Sequence, residues 1–288
     1  LGDDGAYSLV QASDGGYVLA GYTRDPISDA FSPYLVKLEG SAGNFVWGHA
    51  YLVGAIKDGA AYSVVQTSDG GYALAGYFTP IGSTYFDGLL IKTDSTGTLQ
   101  LAYPYGGVTD DVFQCVIQTS DGGYALAGYT NSYGAGNYDF WLVKTDSNGN
   151  PQWSRTYGGA GDDSALSLIQ TSDGGYALLG HSNSYGAGGA DFWLVKTDSA
   201  GNKQWSKTYG GAYDDWGWSV IQTDDGGYVL TGGVRNLGAG GIGAGGIDVW
   251  LIRTDASGNV QWSKTYGGTG DDDAGSVVQT SDGGYAIA

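Results

Sequence analysis

A chain of 288 residues with 54 glycines, 23 tyrosines and 41% hydrophobic content is long enough for a packed core built from many short strands. Its 30 acidic and 12 basic side chains give a net charge of −18, which argues against nucleic acid and anionic lipid as partners. A single cysteine, Cys115, excludes an intrachain disulfide, and no apolar run is long enough to predict membrane insertion. The chain contains no methionine, so we expect a processed or partial chain.

An internal repeat runs through the whole sequence. The string Asp-Gly-Gly-Tyr occurs six times, and its aspartates are spaced by 55, 52, 52, 52 and 57 residues. The longest spacing coincides with a doubled Gly-Ala-Gly-Gly-Ile at 238–247, an insertion that a repeat fold tolerates in one loop. These aspartates are Asp14, Asp69, Asp121, Asp173, Asp225 and Asp282.

Each unit contains four short segments rich in β-forming residues. The Ser-Asp-Gly-Gly segment between the first two is a tight turn, because glycine supplies the positive φ that such a turn needs. A longer glycine-rich loop follows the second segment, and an Asp-x-x-Gly-Asn turn follows the third. In the unit at 162–213 the predicted strands are Leu166–Thr171, Tyr176–Gly180, Asp191–Thr197 and Gln204–Tyr209.

Four short strands in about 52 residues, repeated without any helical period, predict an all-β chain, specifically a β-propeller of four-stranded blades. We interpret residues 1–288 as a single propeller domain of 22 strands. Six blades with an incomplete last one are favoured, and a fragment of a seven-bladed ring is the alternative. The repeat units are about 3–57, 58–109, 110–161, 162–213, 214–270 and a partial unit at 271–288.

The segment FWLVKTDSNGNPQW at 140–153 resembles the second half of a quinoprotein-type propeller repeat. The whole unit, with its Asp-Gly-Gly-Tyr and Trp-Ser-Lys-Thr-Tyr-Gly-Gly strings, more closely resembles the repeats of secreted and surface β-propeller proteins of archaea and bacteria. The resemblance covers nearly the whole chain. It implies a propeller fold in an extracellular or cell-surface setting, and it carries over no catalytic residue.

Acidic pairs recur in the linker between the fourth strand of one unit and the first strand of the next. Hard cations such as Ca²⁺ prefer oxygen ligands of this kind, so Ca²⁺ is the one candidate cofactor. The alternative, which the regular recurrence favours, is that each aspartate caps a turn by accepting backbone N–H bonds. The candidate metal ligands are Asp110, Asp111, Asp162, Asp163, Asp214 and Asp215.

The turn at 146–150 also resembles a calcium-binding loop, but no glutamate follows at the required spacing, so a plain turn is predicted. The two histidines, His49 and His181, occupy non-equivalent positions in the repeat and do not predict a transition-metal site.

The loops between the second and third strands are the most variable parts of the repeat, and binding tends to reside in loops on a rigid scaffold. Their tyrosines can stack on sugar rings while neighbouring amides bind hydroxyl groups. The alternative interpretation is a set of solvated glycine loops. The candidate ligand-binding residues are Tyr133, Asn137, Tyr138, Asn183 and Tyr185.

The sequence therefore favours a non-enzymatic binding or adhesion module outside the cell, with a glycan or a surface protein as the partner. The second hypothesis is a structural subunit of a surface layer or fibre that associates with itself through the unfinished last blade. An enzyme is the third and least favoured class, since no catalytic residues can be identified.

Overall fold

The computed structural model describes residues 3–25, 27–52, 56–235 and 246–288, and every regular element in these ranges is a β-strand. Five antiparallel four-stranded sheets and one two-stranded sheet follow one another along the chain. Within each sheet the strands are ordered as in the sequence, so each complete sheet is a simple meander. This confirms the predicted four-stranded units and the two strands of the sixth.

Sheet 1 consists of β1 (Gly5–Gln11), β2 (Tyr17–Arg24), β3 (Phe31–Leu38) and β4 (Phe45–Ala50). Sheet 2 consists of β5 (Ile56–Gln66), β6 (Tyr72–Pro80), β7 (Asp87–Thr93) and β8 (Leu99–Tyr105). Sheet 3 consists of β9 (Asp111–Gln118), β10 (Tyr124–Thr130), β11 (Asp139–Thr145) and β12 (Pro151–Tyr157).

Sheet 4 consists of β13 (Asp163–Gln170), β14 (Tyr176–Ser182), β15 (Asp191–Thr197) and β16 (Lys203–Tyr209). Sheet 5 consists of β17 (Asp215–Gln222), β18 (Tyr228–Arg235), β19 (Ile247–Thr254) and β20 (Val260–Tyr266). Sheet 6 consists of β21 (Val277–Gln279) and β22 (Tyr285–Ile287).

The chain forms two compact units, residues 1–133 with 141–156 and residues 134–140 with 157–288, and the boundary between them passes through sheet 3. One core of the first unit gathers Phe113, Leu126 and Trp141 around β10. A core of the second unit gathers Phe192 and Leu230 with neighbouring aliphatic residues. Each fully buried leucine or phenylalanine contributes about 1.5–3 kcal/mol to folding by leaving water.

The middle strands of each sheet carry most of this burial. Every residue of β11 and β15 is buried, whereas β12 and β16, the last strands of their sheets, alternate between partly buried and exposed positions. In the second unit, tryptophans of fourth strands pack against the following sheet, because Trp205 contacts Tyr228 of sheet 5 and Trp262 contacts Tyr285 of sheet 6. The sheets are therefore joined face to face by aromatic side chains.

The Asp-Gly-Gly-Tyr turns have the predicted geometry. Gly174 has a φ of 82°, and its amide donates to the carbonyl of Thr171 at 2.8 Å. The Asp173 carboxylate accepts the Gly175 amide at 3.0 Å, which closes the hairpin between β13 and β14. In the turn at 146–150, the Asp146 carboxylate accepts the amides of Asn148 and Asn150.

The bounds of three predicted strands of the unit at 162–213 differ in the structure, where the second strand continues to Ser182 and the fourth begins at Lys203. The first strand of sheet 4 begins at Asp163 and not at Leu166, so the second aspartate of the acidic pair belongs to the strand and not to the linker. Asp163 pairs with Ser182 of β14, and its amide also donates to the carbonyl of Tyr138 at 2.7 Å. Residues 236–245, which include most of the predicted insertion at 238–247, lie outside the described residues.

Candidate functional site

The loops after the second strand and the linkers before the first strand lie together in both units. In the first unit, Ser132 donates its hydroxyl to Asp111 at 2.7 Å, and Tyr133 donates to the carbonyl of Gly106 at 2.7 Å. In the second unit, Ser184 and Asp163 form the equivalent bond at 2.7 Å. The candidate binding loops and the candidate metal ligands therefore occupy the same side of each sheet.

Two of the predicted ligand-binding tyrosines are held rigidly at the surface. Tyr133 is 47% exposed, and its ring lies 6.1 Å from the ring of Trp141, measured between centroids. Tyr185 is 42% exposed, its ring lies 5.0 Å from that of Trp193, and its hydroxyl donates to the carbonyl of Gly158 at 2.7 Å. Each ring is thus fixed at both ends, which lowers the conformational entropy that binding a ligand would cost.

The other three predicted ligand residues have different environments. Asn137 and Asn183 are exposed, and the Asn183 amide donates to the carbonyl of Asp162 at 2.8 Å. Tyr138 is half-buried, and its carbonyl accepts the Asp163 amide. Tyr138 therefore forms part of the strand pairing at the start of β11, while Asn137 and Asn183 present free side-chain faces to solvent.

An aromatic cleft of about 490 Å³ lies beside Tyr133 in the first unit. Tyr103, Tyr133 and Trp141 supply its aromatic walls, and Arg155 and Thr156 supply polar groups at its edge. Trp141 is almost fully buried and donates its indole N–H to the Ser154 hydroxyl at 2.8 Å, so it supports the wall. This combination of aromatic surface and a few polar groups is typical of small-molecule sites. The sequence did not predict Tyr103 or Arg155, because they lie on outer strands far from the loop in the chain.

In two of the acidic pairs the first aspartate caps the start of a third strand. Asp110 accepts the Phe86 amide at 3.0 Å, and Asp214 accepts the Ala190 amide at 3.0 Å.

Asp162 is half-buried beside His181, and burial lowers the pKa of that histidine even though Asp163 and Asp162 act to raise it. Burial therefore favours the neutral form of His181.

The second member of each pair is fully or almost fully buried in sheets 3 to 5, at Asp111, Asp163 and Asp215. Asp111 accepts the Gly107 amide at 2.8 Å and the hydroxyls of Ser132 and Thr130. These bonds support the interpretation of the pairs as caps, and they also place buried carboxylates beneath the loops.

A second set of buried aspartates, which the sequence interpretation missed, faces the first. Asp139 opens β11 and is 1% exposed. Both carboxylates lie next to Gly158. A β-carbon added to Gly158 would stand 1.6 Å from Oδ1 of Asp139 and 2.8 Å from Oδ2 of Asp163, so the two carboxylates are close neighbours. Burial, and then the charge of Asp163, raise the pKa of Asp139 to about 6, although the Ala135 amide acts to lower it. The signal in the sequence was a recurring aspartate exactly 24 residues before the second member of each pair.

The same arrangement, with two aspartates facing each other across a glycine, recurs at three further positions. Each glycine that follows the last tyrosine of a fourth strand has one carboxylate on either side of it. In this arrangement the aspartates pair across neighbouring sheets and not with their sequence neighbours. The other three pairs are Asp87 with Asp111, Asp191 with Asp215, and Asp248 with Asp272.

Two absences hold within residues 3–25, 27–52, 56–235 and 246–288. No group of three or more histidine, cysteine, aspartate or glutamate side chains is arranged to hold a metal ion there. In the same ranges no helix is long and apolar enough to cross a membrane.

Comparison with solved structures identifies the architecture. The chain is similar to the propeller of Dos1, with a TM-score of 0.57 and 12% identity over 98% of this chain and 65% of that one. It is also similar to the WD40 domain of Neurospora crassa Pan2, with a TM-score of 0.52 and 12% identity over 99% of this chain and 86% of that one. The chain has a β-propeller fold.

A third propeller with a similar structure is the quinohemoprotein alcohol dehydrogenase ADHIIG from Pseudomonas putida HK5, with a TM-score of 0.51 and 10% identity. That match covers 88% of this chain and 52% of the dehydrogenase, so the chain spans about half the length of that enzyme. No family model and no curated protein sequence matches the chain. At these identities the similarity shows the propeller fold, while the function has to be argued from the site.

Proposed function

We propose that this β-propeller is a non-enzymatic binding module that takes glycans in the cleft beside Tyr133, and that it acts outside the cell or at the cell surface. The observation that carries the proposal is the fixed, half-exposed ring of Tyr133 at the wall of an aromatic cleft. Sugars present apolar C–H faces that stack on aromatic rings, and their hydroxyl groups bind polar side chains at the edge.

The polar groups of the cleft suit a neutral or acidic sugar. Arg155 is exposed and lies 5.7 Å from the ring of Trp153, an arrangement that orients the guanidinium without neutralising it. Thr156 and Ser154 supply hydroxyl groups on the same strand. A planar cation with several N–H donors can bind the vicinal hydroxyls or the carboxylate of a sugar.

The tyrosine platform is repeated in the second unit at Tyr185, with the same hydroxyl anchor and a tryptophan behind the ring. Asn183 stands two residues away and is exposed, so an amide accompanies the ring there. A glycan with repeating sugars would find an equivalent platform in each unit.

The proposal is tested by a glycan array followed by titration calorimetry with the best ligand. Tyr133→Ala is expected to weaken binding about tenfold or more, because it removes the stacking surface. Tyr133→Phe keeps the ring but loses the bond to Gly106, and is expected to have a smaller effect. The control is Tyr85→Ala, which removes a loop tyrosine that is also 47% exposed but does not line the cleft. Absence of glycan binding by the wild-type chain, or equal losses in Tyr133→Ala and Tyr85→Ala, would contradict the proposal.

The extracellular setting is supported by the acidic composition and by the resemblance to secreted and surface repeats. Protease treatment of intact source cells tests it, since a surface protein is degraded while cytoplasmic markers survive.

The non-enzymatic character is proposed because the titratable residues of the site recur from sheet to sheet as partners of backbone amides. Turnover of a bound glycan by the purified chain would refute it.

A second candidate function is a structural subunit of a surface layer or fibre. The observation that favours it is an open cleft of about 600 Å³ beside sheet 6, lined by apolar side chains such as Leu251, Trp262 and Ile287. Further strands added to sheet 6 would cover this surface. Sedimentation at increasing protein concentration tests the idea, and a chain that remains monomeric throughout would count against it.

A further inference from the structure

The opposed aspartates Asp139 and Asp163 form a buried pair without a basic partner. Asp139 is 1% exposed and Asp163 is fully buried. The Oδ1 atoms of both have no hydrogen-bond partner in the described part of the chain. The Oδ2 of Asp139 accepts only the Ala135 amide. The Oδ2 of Asp163 accepts the Gly159 amide and the Ser184 hydroxyl. A buried carboxylate oxygen without a donor is costly, because it has lost its water and gained no replacement.

The buried basic residues in the described part of the chain form ion pairs elsewhere. The buried ends of the third strands carry Lys37, Lys144, Lys196 and Arg253, and each of these forms an ion pair with the aspartate of an Asp-Gly-Gly turn. Those turns lie at the opposite end of the third strand from Asp139. Two carboxylates therefore lie close together in a site where no side-chain cation of the described residues balances their charge and where each Oδ1 lacks a donor.

One junction of the propeller lacks the pair and serves as an internal comparison. Asp58 accepts the Phe31 amide at 3.1 Å, just as Asp110 accepts the Phe86 amide, which fixes the alignment of the two junctions. Between sheets 1 and 2, Ser32 and Gly59 therefore stand where Asp87 and Asp111 stand between sheets 2 and 3. Leu52 stands where Gly106 does. The two carboxylates and the glycine between them are thus present together or absent together.

We propose that the opposed aspartates hold a hard divalent cation, with Ca²⁺ as the best-fitting ion, at the junctions between consecutive sheets. Two carboxylates neutralise its charge, and Ca²⁺ accepts an irregular set of carboxylate, carbonyl and water oxygens. The glycine keeps the space between the carboxylates free of a side chain. The ligands come from Asp139 and Asp163, and from the equivalent residues at other junctions, so Asp111, Asp163 and Asp215 each pair across strands and not with the preceding aspartate.

This inference is independent of glycan binding. A cation between the first residues of β11 and β13 would join a third strand to the first strand of the following sheet, and so would stabilise the fold whether or not a sugar is bound. The two proposals therefore fail separately, since a chain that binds Ca²⁺ and no glycan, or a glycan and no Ca²⁺, supports one and refutes the other.

The experiment uses the full chain after dialysis against a chelator. Addition of Ca²⁺ is expected to raise the thermal midpoint, and Tb³⁺ is expected to show luminescence sensitised by nearby tyrosine and tryptophan rings that Ca²⁺ displaces. Asp139→Asn and Asp163→Asn, alone or combined, are expected to lower the number of ions bound in calorimetry by one and to reduce the Ca²⁺-dependent shift. Asp191→Asn provides the same test at the next junction if the first variants fail to fold.

The matched control is Asp224→Asn, which removes the same charge from an exposed turn at the other end of the sheet. It is expected to leave the number of bound ions unchanged. Two results overturn the proposal. One is a wild-type chain with no Ca²⁺-dependent shift and no Tb³⁺ signal, which would mean that a shared proton neutralises the pair. The other is an equal loss of ions in Asp224→Asn, which would indicate diffuse binding to the acidic surface.

Discussion

Lys196 and Asp173 form an ion pair of 2.8 Å between the third strand of sheet 4 and the turn that joins its first two strands. The lysine side chain is 5% exposed and the aspartate side chain 54% exposed, so a buried ammonium group reaches outward to a carboxylate at the surface. The ammonium group also donates to the carbonyl of Thr197 at 2.7 Å and to Gln204 at 3.1 Å. The third and fourth strands of the sheet are thereby held to the turn between the first two.

We expect Asp173→Ala to destabilise the fold by about 1–2 kcal/mol, because it removes the charge partner of a buried lysine and two hydrogen bonds of the turn. We expect this small loss of stability because the Asp173 carboxylate is half-exposed and solvent screens the ion pair. Urea denaturation followed by circular dichroism measures it. Asp224→Ser, which installs at the equivalent position the serine found in the other turns, is expected to change stability by less than about 0.5 kcal/mol. Equal effects of the two substitutions would show that the ion pair contributes nothing.

The turn aspartates make stability depend on acid pH. The Lys144 ammonium group, together with the Thr119 hydroxyl, lowers the pKa of Asp121 to about 2, and Asp69 and Asp173 also have pKa values of about 2. These values lie below the ordinary 3.8, so the folded state binds protons less readily than the unfolded chain. The stabilisation is complete above pH 4 and is lost as the pH falls towards 2.

This pH dependence is measured by urea denaturation between pH 2 and pH 5. The double variant Asp121→Asn with Asp173→Asn is expected to be less stable at neutral pH and to show a shallower loss of stability on acidification. A wild-type profile that is flat across this range would contradict the assignment of these three pKa values.

Gly158 should not tolerate a side chain. A β-carbon there would stand 1.6 Å from Oδ1 of Asp139, so Gly158→Ala is expected to cost about 3 kcal/mol or more by displacing a buried carboxylate. Gly211→Ala is the control, since no atom lies within 4 Å of the position of its β-carbon. Thermal denaturation of both variants measures the difference, and similar midpoints would show that the site can open at little cost.

Shortening the opposing side chain should partly rescue Gly158→Ala. The first junction already combines Ser32 with Leu52 at the positions of Asp139 and Gly158. We therefore expect Gly158→Ala with Asp139→Ser to be more stable than Gly158→Ala alone, which is a non-additive effect between neighbours. A double-mutant cycle measures the coupling, and simple additivity would show that the clash does not involve Asp139.

The hydroxyl of Tyr157 joins consecutive sheets in the second unit. It donates to the carbonyl of Gly201 at 2.6 Å, and the tyrosine is 7% exposed. Tyr157→Phe is expected to cost about 1–2 kcal/mol, because the buried carbonyl loses its donor while the packing of the ring is kept. Tyr213→Phe removes the hydroxyl of a tyrosine that is 44% exposed and is expected to have no measurable effect in the same denaturation assay.

Much of the fold could be predicted because the repeat makes the local signals redundant. The Asp-Gly-Gly-Tyr turns require positive φ at a glycine, and the structure has φ of 82° to 84° at Gly15, Gly122 and Gly174. Third strands such as Asp191–Thr197 have the predicted bounds, because a continuous apolar run between two turns allows no other register. The candidate loops were found for a similar reason, since they are the variable parts between regular strands.

The site itself could be predicted only in part. Tyr133 and Tyr185 were candidates because they lie in the variable loops. Tyr103 and Arg155 enter the cleft from outer strands, whose alternation alone does not show what they will face. For the carboxylates, the sequence interpretation paired Asp162 with Asp163 because they are adjacent in the chain. Successive residues of a strand point to opposite faces, so adjacent aspartates cannot share a site as easily as residues on neighbouring strands.

By itself the sequence determined the four-stranded repeat, its turns and the acidic character of the chain, since these depend on backbone conformation and on periodicity within about 50 residues. Only the tertiary structure decided which charges meet. Asp139 and Asp163 lie 24 residues apart and come together because a third strand and the next first strand begin side by side, with Gly158 leaving room between them. Contacts between sheets depend on how each sheet packs on the next, and that packing gives two isolated aspartates a common buried site.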